Sequence, residues 1–137
     1  MGFAESVRTC FSSYAVFQGR ASRSEFWWFF LFSVLVSLVL TLPLYILTAV
    51  MSAAGDSSAG AGATAVISII WSIAVTVVSI GLLIPLLAVG ARRLHDRGQS
   101  AWFLLLYFIP CGNIVLIVLW ALQGTPGDNP YGPRPVQ

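Results

Sequence analysis

Charge in this chain gathers at two places. Arg20, Arg23 and Glu25 form one cluster, and Arg92, Arg93, His95, Asp96 and Arg97 form the other. These are the residue types that could do chemistry. Arginine forks match phosphate oxygens two at a time, and Gly98 and Ser100 open a helix N-terminus whose free N–H groups also attract anions. The eight residues are therefore the candidate site for an anion, a lipid headgroup or a protein partner. Other chemistries find less support. His95 beside Asp96 offers an acid and a base, but no nucleophile, second histidine or carboxylate pair accompanies them, so no catalytic residue is assigned. One histidine and two distant cysteines, Cys10 and Cys111, cannot fill a metal's coordination shell, and no metal or cofactor is expected. A plainer reading accounts for the same charges. Cations at the C-terminal end of one helix and Glu25 at the N-terminal start of another suit the helix dipoles, with Glu25 and Asp96 as partners for the arginines.

The elements that position these clusters follow from composition. Of 137 residues, 58% are hydrophobic and only 9% charged, whereas soluble domains carry about a quarter charged residues. Seven arginines, no lysine and a net charge of +2 leave no stripe for nucleic acid. The reading is one all-α, polytopic membrane helix bundle over residues 1–137. The apolar run from Phe26 to Val50 reaches about 37 Å at helical rise, more than the ~30 Å hydrocarbon core. We place span one at 23–52 and span two at 64–90, joined by a Gly/Ala/Ser-rich loop. A cytoplasmic loop follows at 91–100, then a third segment at 101–122 and a tail at 123–137.

Orientation follows from arginine placement. Arg8, Arg20 and Arg23 precede span one and Arg92, Arg93 and Arg97 follow span two, while the loop between the spans has no basic residue. That predicts a cytoplasmic N-terminus in a multi-pass protein. The first apolar run begins too late and is too long for a cleaved signal peptide. Phe3, Val7, Cys10, Phe11, Tyr14 and Phe17 recur at helical spacing, predicting an interfacial helix over 3–21. Ser22 and Glu25 form a capping box that starts span one. Trp27, Trp28 and Trp102 read as interfacial anchors. Ser33, Ser37, Thr41 and Thr48 line one side of the first span, and Ser68, Ser72, Thr76 and Ser79 one side of the second. Small hydroxyl side chains let helices approach closely and can hydrogen-bond across the contact, so the two stripes predict that the spans pack along them. Both cysteines read as small buried apolar groups.

The third segment is interrupted by Pro110-Cys111-Gly112-Asn113, a turn sequence in soluble proteins. Either it is one kinked helix that carries the tail across, or two half-helices in a re-entrant hairpin that return it. Lipid cannot satisfy a broken backbone at depth and two other helices give little cover, which favours the kinked span. A homo-oligomer would supply that cover.

Three segments carry a likeness. Phe17-Gln18-Gly19-Arg20-Ala21-Ser22-Arg23-Ser24-Glu25-Phe26-Trp27, Arg92-Arg93-Leu94-His95-Asp96-Arg97-Gly98-Gln99-Ser100-Ala101-Trp102 and Gly124-Thr125-Pro126-Gly127-Asp128-Asn129-Pro130-Tyr131-Gly132-Pro133 resemble the three signatures of the DUF805 family. The resemblance implies a small bacterial inner-membrane protein and no known activity. It also bears on the hairpin, because the tail could reach the Arg-His-Asp segment only if the third segment returned. The leading expectation is a non-enzymatic module that self-associates or binds a partner or membrane lipid, anionic phospholipid included, through its arginine-rich face. The alternatives are a small oligomeric transporter or channel component, and an enzyme acting on a phosphorylated or lipid substrate at His95 and Asp96.

Overall fold

The computed structural model describes residues 1–55 and 58–135, so Asp56 of the expected loop lies outside the described residues. Four α-helices run in order: α1 (Phe3–Ser12), α2 (Arg23–Ala53), α3 (Ser58–Asp96) and α4 (Gly112–Ala121), with a 3₁₀ helix at Ala101–Phe108 between the last two. α2 and the Gly60–Asp96 stretch of α3 each have a mean hydropathy of 2.5 and the length to cross a bilayer. The chain falls into two compact units, Ser33–Leu82 and the remainder, Met1–Phe32 with Leu83–Gln137.

In the Ser33–Leu82 unit the two hydroxyl stripes meet. Thr41, Ser72 and Thr76 line one cavity of about 190 Å³ with Tyr45, and the indole N–H of Trp71 donates to the Leu40 carbonyl at 2.7 Å. Most of these hydroxyls are satisfied locally. Ser37, Thr41, Thr48, Ser68, Ser72 and Thr76 each donate to a carbonyl one turn back in their own helix, the cheapest way to satisfy a hydroxyl in an apolar setting.

The other unit holds both charge clusters. α1 is shorter than the expected 3–21 helix: it ends at Ser12, where Ser13 leaves the helical conformation, and Gly19 further on takes φ +90°. Its aromatic face survives: Phe3 meets Trp28 edge-on, and Phe11 meets Phe29 and Phe32 in the same way. The Ser22 hydroxyl accepts from the Glu25 N–H at 3.1 Å, as the cap requires.

Two expectations fail here. The 91–100 loop is helical through Asp96: nothing in Ala91 to Asp96 breaks a helix, and α3 ends only at Gly98, whose φ of +70° closes it. There the Gly98 and Gln99 N–H groups donate to the His95 and Leu94 carbonyls, the pattern of a Schellman end. The second failure is the single kinked span over 101–122. Ile109 is held extended before Pro110, Cys111 takes the left-handed conformation, and α4 packs back along the 3₁₀ helix as a hairpin. Gly112 sits so close to the Leu106 carbonyl that a Cβ would overlap it. Three N–H groups of this turn find acceptors within it. Ile109 N–H donates to Leu106, Gly112 N–H to Ile109 and Ile114 N–H to Cys111, and the Asn113 side chain also accepts from Ile114 N–H. Cys111 is exposed at this turn, not buried; Cys10 is buried as expected.

Candidate functional site

The hairpin returns the chain to the end of α3, where Trp120 fixes it. Its indole donates to the Gly90 carbonyl at 3.1 Å and its ring lies 4.6 Å from that of Phe26. From there the tail folds over the second charge cluster.

Asp96 is the centre of this arrangement. It sits in the last turn of α3 between two arginine side chains, each 1% exposed, and is itself 5% exposed. Arg93, one turn earlier, pairs with one carboxylate oxygen, and Arg20 reaches the other at 2.8 Å. Both guanidinium groups then turn to backbone. Arg20 donates to the carbonyls of Gly127 at 2.7 Å, Thr125 at 3.0 Å and Gly132 at 3.2 Å. Arg93 donates to Trp120 and Leu122 carbonyls at the exit of α4. Five rigid donors on one charged group suit this task, and lysine could not reproduce it. Gly124 passes so close to the Asp96 carboxylate that any side chain would overlap it.

The tail answers with its own donors. The Thr125 N–H and hydroxyl both donate to the Asp96 carbonyl, at 2.9 and 3.0 Å. Asn129 donates to the His95 carbonyl at 2.9 Å and accepts from the Tyr131 N–H at 2.9 Å, which sets the Tyr131 ring flat on His95, centroids 4.0 Å apart. The His95 Nδ1 lies 3.2 Å from the Gly19 carbonyl.

A second buried pair lies beside it. Arg92 donates to Glu25 at 2.8 Å, linking the end of α3 to the start of α2, and the Cys10 thiol from α1 points at the same carboxylate. The Nε and Nη2 of Arg92 and the hydroxyl of Ser6 are buried without hydrogen bonds among the described residues. Burial, reinforced by the negative charge of Glu25, pushes the Cys10 thiol from its ordinary 9.0 up to about 12. The neutral thiol is the form the fold prefers, so its contribution to stability is present below pH 9 and is lost as the pH rises toward 12. A shift of this size leaves about a thousandfold less thiolate at pH 8. In a Cys111→Ser background, N-ethylmaleimide is therefore expected to modify Cys10 at pH 8 only after denaturation, read by intact mass; rapid labelling of the folded protein would show that α1 does not cover it.

Of the eight residues singled out by charge, Arg20, Arg93 and Asp96 form one network and Arg92 and Glu25 another. His95 faces the tail instead of Asp96, so the two do not make an acid–base pair. Arg97, half-buried, donates to the Leu119 carbonyl at a long 3.4 Å, and Arg23 is half-buried in the first turn of α2. The residues that charge could not point to are the uncharged ones, Trp120, Gly124, Thr125, Asn129 and Tyr131. For all but Trp120, which precedes it, the signal was the dense Gly/Pro/Asn pattern of the third motif.

Comparison with known proteins agrees with the three motifs. The model of the family described as "Protein of unknown function (DUF805)" matches residues 14–133. Inner membrane protein YhaH of Escherichia coli (strain K12) is 36% identical over 124 residues, covering 90% of this chain and 89% of that protein. Inner membrane protein YhaI of the same strain is 32% identical over 124 residues, covering 90% of this chain and 88% of that protein. No solved structure matches the chain.

Proposed function

The chain belongs to the DUF805 family, a bacterial inner-membrane family of unknown function, and from that premise we propose a non-enzymatic membrane module that holds anionic lipid or a protein partner at its cytoplasmic edge. In this reading α2 and α3 cross the bilayer, the N-terminus and the end of α3 are cytoplasmic, and the hairpin dips in from that side so that the tail stays there too. The distribution of arginine, all of it away from the loop between the long helices, supports the orientation. One observation carries the proposal: Arg20 joins Asp96 to the tail, so residues of all three motifs gather within one unit. That makes Arg20, Arg93 and Asp96 the frame of the face. Arg23 and Arg97, half-buried and less committed, are the arginines with donors to offer a phosphate. Asp96, held between two arginines, is not free to serve His95 as an acid–base partner.

Native mass spectrometry of protein released from nanodiscs reads subunit count and retained lipid together. Arg23→Gln combined with Arg97→Gln is expected to lower retained phosphatidylglycerol about tenfold, the scale of losing charged hydrogen bonds. It should leave the docked tail intact. Unchanged retention would remove the anionic-lipid reading and leave the protein partner.

A further inference from the structure

A cavity of about 350 Å³ opens beside the end of α3. Phe17 comes to it from the first motif, His95, Ser100 and Trp102 from the second, and Tyr131 from the third, with Leu105 of the 3₁₀ helix completing an apolar side. The segments that carry the family likeness thus supply most of one wall. The geometry of the tail explains how: Asn129 places Tyr131 against His95, and without the hairpin no part of the third motif would be in reach.

The polar side-chain groups at this cavity are few. A carbonyl oxygen only accepts, so the Nδ1 of His95, facing Gly19, carries the hydrogen. Nε2 is then the nitrogen left for a ligand, and in the neutral ring it accepts. The Ser100 oxygen accepts from the Trp102 N–H at 3.3 Å, which leaves its own O–H to donate. The His95 Nε2 and the Ser100 hydroxyl are joined by the Tyr131 hydroxyl and the Trp102 indole N–H, and the rest of the lining is aromatic and aliphatic. No lining residue is Arg, Lys, Asp or Glu. A phosphate or carboxylate placed here would be desolvated with no arginine to meet it.

We infer that this cavity binds an uncharged membrane lipid bearing a hydroxyl group beside an apolar body. The hydroxyl donates to His95 Nε2 and accepts from Ser100. The apolar body lies against Trp102 and Leu105, both exposed on the 3₁₀ helix. The inference is independent of the anionic-lipid reading, because neither Arg23 nor Arg97 lines the cavity. Two kinds of membrane lipid have this chemistry, a diacylglycerol and a quinol.

The test uses the purified full chain in dodecyl maltoside, titrated with dioctanoylglycerol, decylubiquinol, decylubiquinone or dioctanoyl phosphatidic acid and read by native mass spectrometry. One of the two hydroxyl lipids is expected to form a saturable one-to-one complex at least tenfold tighter than phosphatidic acid, and which one does so identifies the source. If it is the quinol, the quinone, which lacks the donor, should bind at least fivefold more weakly. Leu105→Trp, which fills the cavity from its exposed side, should lower occupancy at least tenfold. His95→Phe keeps the stack on Tyr131, removes the acceptor, and should weaken binding about fivefold. Binding of neither hydroxyl lipid, equal binding of phosphatidic acid, or full occupancy in Leu105→Trp would overturn the inference. Should His95→Phe release the tail, Leu105→Trp decides alone.

Discussion

Asp96→Asn is expected to destabilise the protein by about 3–5 kcal/mol, the cost of breaking a buried ion pair by removing one partner. The carboxylate stands between Arg20 and Arg93, whose side chains are each 1% exposed. An amide of the same shape turns an acceptor into a donor against at least one of them, and both cations lose the charge that offsets their desolvation. Neither arginine can swing to water without releasing what else it holds, the tail carbonyls for Arg20 and the exit of α4 for Arg93. The loss should therefore be cooperative. The midpoint of unfolding in mixed detergent and SDS should fall, and the tail should become sensitive to proteinase K at the same time. A variant within about 1 kcal/mol of the wild type would mean that the network is not the structural centre of this unit.

Gly124→Ala tests the same region through shape. A methyl group at residue 124 would overlap the Asp96 carboxylate, so either the ion pair shifts or the tail lifts. Overpacking of this kind costs about 1–3 kcal/mol. Lifting would break the two bonds from Thr125 to the Asp96 carbonyl and undo the position of Asn129. Gly127 gives the comparison. It has φ +79° and open space around it, so Gly127→Ala should cost only the strain of the left-handed conformation, about 1 kcal/mol. Proteolysis of the tail should be fast in Gly124→Ala and near wild type in Gly127→Ala. Equal rates would show that the Gly124 approach to Asp96 does not hold the tail.

Sequence made parts of this structure legible where one local force decides. Hydropathy locates α2 and α3, and the Ser22 hydroxyl does cap the Glu25 N–H. The joining of the two charge clusters through Arg92 and Glu25 was readable as charge pairing across helix ends. The hairpin was legible only as one of two readings, since Pro110-Cys111-Gly112-Asn113 marks a break without deciding between a kink and a return. Cys111 in the left-handed conformation makes it a return, and the Asn113 side chain accepts from the Ile114 N–H. The role of Arg20 was hidden for a different reason. Charge counting pairs cations with anions or phosphates, whereas Arg20 uses most of its donors on backbone carbonyls of residues more than a hundred positions away. Nothing in composition or spacing gives that contact. The dense turn residues of the third motif were the nearest sign that this tail has a fixed shape.

The candidate lipid and partner chemistry all depend on the tail returning to the face that holds the arginines. Arg8 and Arg134 are both exposed, so each can be replaced by cysteine in a Cys10→Ser, Cys111→Ser background and probed with a membrane-impermeant maleimide in intact spheroplasts. The account predicts that both positions stay unlabelled until the cells are lysed and are labelled together thereafter. Labelling of Arg134→Cys from outside, with Arg8→Cys protected, would put the tail across the membrane and contradict it.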